Sequence, residues 1–155
     1  ILGFIFVACG SNKWGETQIA FSGYVFNVPG KWEQETGGEN FLRYGWDNGS
    51  SLFFSSSVYD QSILTEIAND PGAMVGLAVT NMESVDCGDA VSSTINGCKA
   101  IVVPFTCQTD NGDSWTGRLY TFVDSASDTS VIVMPICSFK GVENYLNAFD
   151  EALIG

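Results

Sequence analysis

AVSSTINGCKAIVVPFTCQTDNGDSWTGRLYTFVDSASDTSVIVMPIC, residues 90–137, decides the fold. It holds four strand-like runs, Ala90 to Ile95, Cys98 to Cys107, Trp115 to Val123 and Ser130 to Cys137, rich in β-branched and aromatic residues. Turn signals separate them. The first is Asn96-Gly97, the strongest short hairpin signal, followed by Asp110-Asn111-Gly112 and then Asp124 to Asp128. So close a succession of turns predicts an antiparallel meander.

Upstream, Thr17 to Phe21 and Tyr24 to Pro29 read as two β runs joined at Ser22-Gly23. Tyr24, Phe26 and Val28 keep the period of a half-buried strand until Pro29-Gly30 stops it. Asn40 to Trp46 and Ser51 to Tyr59 form a further pair around Asp47-Asn48-Gly49. Then the period changes. Ile63, Leu64, Ile67 and Ala68, then Met74, Leu77 and Ala78, recur at helical spacing, predicting a helix over 61–80. It should break near 70, where Asp70 can cap a new start and Pro71 suits a first helical position. At the end, Val142, Tyr145, Leu146, Phe149, Ala152 and Leu153 form the apolar stripe of a second helix over 141–153. Strands, helix, strands, helix implies an α+β sandwich with helices covering an antiparallel sheet.

The chain has 155 residues, enough for one domain with its own core, with 18 acids against 6 bases and no histidine. A net charge of −12 leaves no basic stripe for nucleic acid or for an anionic membrane surface. Without histidine there is no Ser-His or Cys-His pair, and the usual neutral-pH acid/base is gone. No G-x-S-x-G elbow, phosphate loop, H-E-x-x-H or dinucleotide G-x-G-x-x-G occurs. The expectation is a protein without catalytic activity or cofactor.

The opening, Ile1 to Asn12, reads differently from the body. An apolar run ends in Phe6-Val7-Ala8-Cys9, which looks like a bacterial lipobox, with small Ala8 directly before the cysteine to be lipidated. Residues 1–8 are then the tail of a signal peptide whose start lies upstream. Residues 9–16 are a lipid-bearing cysteine and polar tether, and 17–155 a single domain. Two alternatives stand beside this one. Ile1 to Ala8 could be a buried first strand, or the end of a membrane anchor of around 20 apolar residues.

Gly23-Tyr24-Val25-Phe26-Asn27-Val28-Pro29-Gly30-Lys31-Trp32 resembles the opening of PsbP-like domains, in which an aromatic strand ends in Pro and a Trp follows. Ile95-Asn96-Gly97-Cys98-Lys99-Ala100 resembles the turn before their central meander, and Phe139 to Leu153 their closing helix. The resemblance implies an α/β/α sandwich, a mainly antiparallel sheet flanked by two helices. The family includes a photosystem II subunit, a nuclear-import factor that binds a small GTPase, and many bacterial lipoproteins. None of these motifs carries chemistry, so the resemblance implies no functional residue.

Apart from Cys9, four cysteines remain: Cys87, Cys98, Cys107 and Cys137. Outside the cytosol they permit two disulfides; buried free thiols are the alternative. A two-residue turn sets Ile95 opposite Cys98 and carries Cys87 opposite Thr106, one residue from Cys107. A bulge near Gly88 would join those two. Cys98 and Cys107 lie about 30 Å apart at 3.3 Å per residue, too far to bond. If residues 87–90 fold back instead, Cys87 meets Cys98 and Cys107 is free for Cys137. Cys107 is favoured over Cys98 as partner of Cys87.

Asp47 in one turn, with Asp110 and Asp113 in another, places hard oxygen donors as calcium prefers, although neither stretch completes an EF-hand and Asp/Asn-Gly pairs are ordinary turn chemistry. No metal is expected there. Trp14, Trp32, Trp46 and Trp115 could line a ligand face, but core packing is the favoured role. Together these features describe a bacterial envelope module, held to the membrane by lipid on Cys9, that binds a protein partner or self-assembles. The alternative is a small-molecule or glycan-binding lipoprotein, and less readily a hydrolase.

Overall fold

The computed structural model describes residues 3–4, 13–58, 62–78 and 84–154. In chain order the elements are β1 (Gly3–Phe4), β2 (Glu16–Phe21), β3 (Tyr24–Pro29), β4 (Glu33–Gly37), β5 (Phe41–Gly45) and β6 (Ser51–Val58). The helices α1 (Ser62–Asn69) and α2 (Pro71–Ala78) follow. Then come β7 (Ser84–Cys87), β8 (Val91–Ile95), β9 (Cys98–Gln108), β10 (Ser114–Asp124), β11 (Thr129–Cys137) and α3 (Val142–Ile154).

The meander forms as its turns dictate. Asn96 and Gly97 take φ of 50° and 75°, the left-handed pair a two-residue hairpin needs, and Ile95 lies opposite Cys98. Strands β8 to β11 run antiparallel, and β6 joins β11 to give the order β4-β5-β6-β11-β10-β9-β7, with β8 also on β9. A smaller sheet holds β2 and β3, hinged at Ser22-Gly23, with β1 parallel to β3.

Alternation along the strands gives the large sheet two apolar faces. One face, with Tyr120, Phe122, Val131 and Val133, is covered by α3 and the β2–β3 hairpin through Phe26, Tyr145 and Phe149. The other, with Val103, Phe105, Leu119 and Met134, is covered by α1 and α2 through Ile63, Ile67 and Val75. This is the expected α/β/α sandwich. The first helical segment breaks where foreseen: Asp70 Oδ1 accepts the Ala73 amide at 3.2 Å and caps α2, which starts at Pro71.

Two strands escaped the sequence reading. β4 is exposed throughout, so no apolar period marks it, and β7 has only four residues. Trp14 packs on Phe139 and Tyr145 at ring separations of 5.5 and 5.4 Å, and Glu16 pairs with Pro29, so these residues belong to the folded body. Of the residues read as a signal tail, Gly3 and Phe4 pair with Tyr24 and Val25. Cys9 lies outside the described residues.

Candidate binding surface

The Pro29-Gly30-Lys31-Trp32 turn anchors one end of the α3 face. Gly30 has φ +112°, and a Cβ there would fall 2.5 Å from Trp32 Nε1, so only glycine fits. The turn is tied to α3 through the Pro29 carbonyl, which accepts from Trp32 Nε1 at 2.9 Å and from the Tyr145 hydroxyl at 2.7 Å. Burial raises the Tyr145 hydroxyl far above its ordinary pKa, so it stays a donor. Three of the four tryptophans expected in the core, Trp14, Trp32 and Trp46, meet at this end with Phe139 and Tyr145.

Further along α3, Arg118 of β10 is nearly enclosed. Its guanidinium bonds Asp150, the Leu146 carbonyl at 3.2 Å and Asn147 at 3.1 Å, while Tyr120 donates to Asp150 at 2.6 Å. Burial alone would lower the Arg118 pKa; Asp150 outweighs it and raises the value. The sequence reading passed over this cluster. Its signal was the one basic residue of β10, set between Trp115 and the mostly apolar Leu119 to Val123 stretch.

The expected disulfide register is not the one adopted. Cys87 lies opposite Phe105 and Val85 opposite Cys107. Between Cys87 and Val91, residues 88–90 face only Val103 and Pro104, so the bulge carries its extra residue on the β7–β8 side. Joining Cys87 to Cys107 needed that residue on β9. Gly88 allows the close approach: its amide bonds the Pro104 carbonyl at 2.8 Å, and a Cβ would meet Pro104 at 2.9 Å. Cys87 and Cys107 are therefore diagonal neighbours, whose Cβ atoms sit roughly 7 Å apart, nearly twice the disulfide separation. Cys107 and Cys137 pack on opposite faces with β10 between, and Cys87 and Cys98, on the adjacent strands β7 and β9, also pack on opposite faces. All four are free thiols. Burial raises the pKa of each, that of Cys137 to about 12, which leaves them weak nucleophiles at neutral pH.

Asp47, Asp110 and Asp113 are exposed on two loops at one end of the sheet. The loops are closed by their own backbones, Gly49 N to Trp46 O at 2.9 Å and Thr109 N to Asp113 O at 3.0 Å. Among the described residues no three His, Cys, Asp or Glu side chains gather as a metal site. Trp115 lies against the first loop, 3.9 Å from where a Gly49 Cβ would stand.

Two open grooves lie among the described residues. One, of about 390 Å³, is lined by Lys31, Glu33, Glu35, Trp46 and Asp47, charged side chains around one aromatic wall. The other, of about 250 Å³, runs between the β8–β9 strands and the C-terminal end of α3, with Val91, Val102, Pro104 and Ile154 as walls and the Arg118–Asp150 pair at its base.

An α+β sandwich with a packed sheet and shallow grooves is the architecture of a fold with several solved members. The cyanobacterial PsbP (CyanoP) of Synechocystis sp. PCC 6803 superposes with a TM-score of 0.66 at 10% identity, covering 94% of each chain. The Ran-binding protein Mog1p of Saccharomyces cerevisiae gives 0.57 at 10% identity, covering 91% of this chain and 86% of its own. LpqN, involved in cell envelope biogenesis of Mycobacterium tuberculosis, gives 0.54 at 14%, covering 91% and 84%. The chain thus has the PsbP-like fold that the sequence resemblance implied. No family model and no curated protein matches the sequence.

Proposed function

We propose that this chain is a lipid-anchored, extracytoplasmic bacterial protein that works as a non-catalytic binding or assembly module of the cell envelope. The observation that carries the reading is the fold it shares, over most of its length, with a Ran-binding protein and a protein of envelope biogenesis. Phe6-Val7-Ala8-Cys9 supports the anchor. Stable anchoring takes more than one acyl chain, as a lipoprotein cysteine carries. The β1 ladder opposes cleavage before Cys9, but it is only two residues long.

Mass spectrometry of the native protein decides the anchor. A mature chain beginning at acylated Cys9 is expected, and residues 1–8 still attached would refute lipidation there. Crosslinking in the native envelope followed by affinity capture tests the module. A stoichiometric protein partner is expected; capture of this chain alone, without self-assembly, would overturn it. The Trp46 groove, an aromatic side chain beside Lys31, Glu33 and Asp47, favours a second reading as a glycan-binding lipoprotein. Quenching of tryptophan fluorescence by envelope oligosaccharides, lost in Trp46→Ala, would support it.

A further inference from the structure

The two edges of the large sheet are built differently. β4 carries Glu33 and Glu35 and has an irregular register between Gln34 and Thr36, features that discourage a further strand. β8, Val-Ser-Ser-Thr-Ile, has no charge, and among the described residues it pairs with β9 alone. Hydrogen-bonded positions alternate along an antiparallel pair. With the turn at Asn96-Gly97, the backbone groups of Val91, Ser93 and Ile95 face β9, leaving those of Ser92 and Thr94 on the open side. Beside this edge lies the apolar groove, and two of the four large exposed apolar residues described, Val91 at 57% and Ile154 at 38%, are its walls.

We infer that the free edge of β8 and its groove take an extended, basic segment of a partner protein as an added strand. The backbone of Ser92 and Thr94 supplies the ladder, and every second side chain of the segment enters the groove between Val91 and Ile154. Charge selects the occupant. Asp86 and Asp89 precede β8 and Glu151 lies on α3, while Asp150 is neutralised by Arg118. Of the nearby cations, Arg118 is engaged by α3, and Lys99 extends from the turn end of β9. A second copy of the chain brings a further −12 to the same edge, whereas lysines or arginines in a partner are attracted to it.

This inference rests on the binding-module reading and names its surface. The probe is a nine-residue peptide alternating Lys with Val, titrated into the 15N-labelled protein. Shifts are expected at Ser92, Thr94 and Ile154, with none from the peptide in which Glu replaces Lys. Ser92→Pro removes an outward amide without touching the β9 ladder, so it should weaken binding at least tenfold while the melting curve holds. Val91→Lys, which places a charge in the groove, should do the same and serves if the proline variant unfolds. Shifts spread over the acidic β4 edge, or unchanged affinity in both variants, would overturn the inference. So would concentration-dependent dimers that Ser92→Pro dissolves, which make the occupant a second copy. A partner captured from the native envelope and retained by both variants refutes this surface but leaves the module reading standing. No partner for the wild type refutes that reading instead.

Discussion

The two faces of the large sheet are covered by different means. On the α3 face, aromatic rings interlock: Phe26 lies 5.2 Å from Phe54 and 6.3 Å from Phe122, and Tyr145 and Phe149 complete the layer. Polar ties cross that interface too, from Arg118 and Tyr120 to Asp150, from Tyr145 to Pro29 and from Tyr24 to Asp124. On the opposite face, two eight-residue helices rest on mostly aliphatic side chains, with Phe105 the buried aromatic among them. Apolar contact holds a helix without fixing its register, whereas directional bonds add a geometric demand. The α3 face should therefore be the last part to open, and α1–α2 the first.

The largest effect expected is at Phe149, which is fully buried and packs on Tyr120 and Tyr145. Phe149→Ala should cost about 3–5 kcal/mol, read as a lower melting temperature and denaturant midpoint. Ile67, equally buried on the other face, should cost about 2–4 kcal/mol as Ile67→Ala. Hydrogen exchange sharpens the contrast: Ile67→Ala should speed exchange in α1 and α2 while α3 amides stay protected. Equal acceleration in α3 would make the two faces one cooperative unit.

A smaller effect, of opposite sign, is expected at Thr121. Its side chain alternates with Leu119 and Val123 toward the α1–α2 face, and its hydroxyl is buried without a partner. Thr121→Val removes a desolvated hydroxyl at nearly constant shape, so stability should rise by about 1 kcal/mol. A fall in melting temperature would show that the hydroxyl is satisfied in solution.

How much of this was legible depended on how much of each element faces the core. The meander, the Asp70-Pro71 break and α3 were readable because their apolar periods and turn residues agree. β4, solvated on every residue, has no period to read. The cysteine register hung on which strand took the extra residue at the Gly88 bulge, a choice made by the close contact of Gly88 with Pro104 across the ladder. The β8 groove joins residues more than fifty positions apart, Val91 and Ile154, and neither looks unusual in its own stretch.

The smallest expected effect isolates one polar tie of the α3 face. The Tyr24 hydroxyl, on the hairpin, donates to the Asp124 carboxylate at the end of β10. That bond, with further help from the Ala126 amide, holds the Asp124 pKa below the ordinary carboxylate range. A depressed folded-state pKa means that the carboxylate contributes stability in full above its unfolded value, and that this contribution fades as pH falls through the folded one. Tyr24→Phe removes the donor and keeps the ring that stacks edge-on against Phe122. The variant should thus be slightly less stable than the wild type at neutral pH, and the gap should narrow as acid protonates Asp124. Because Asp124 is close to solvent, the gap should stay small. A stability difference that stays constant across the acid range would show that Tyr24 acts through packing alone, and the hairpin would then be held by apolar contact, as α1 and α2 are.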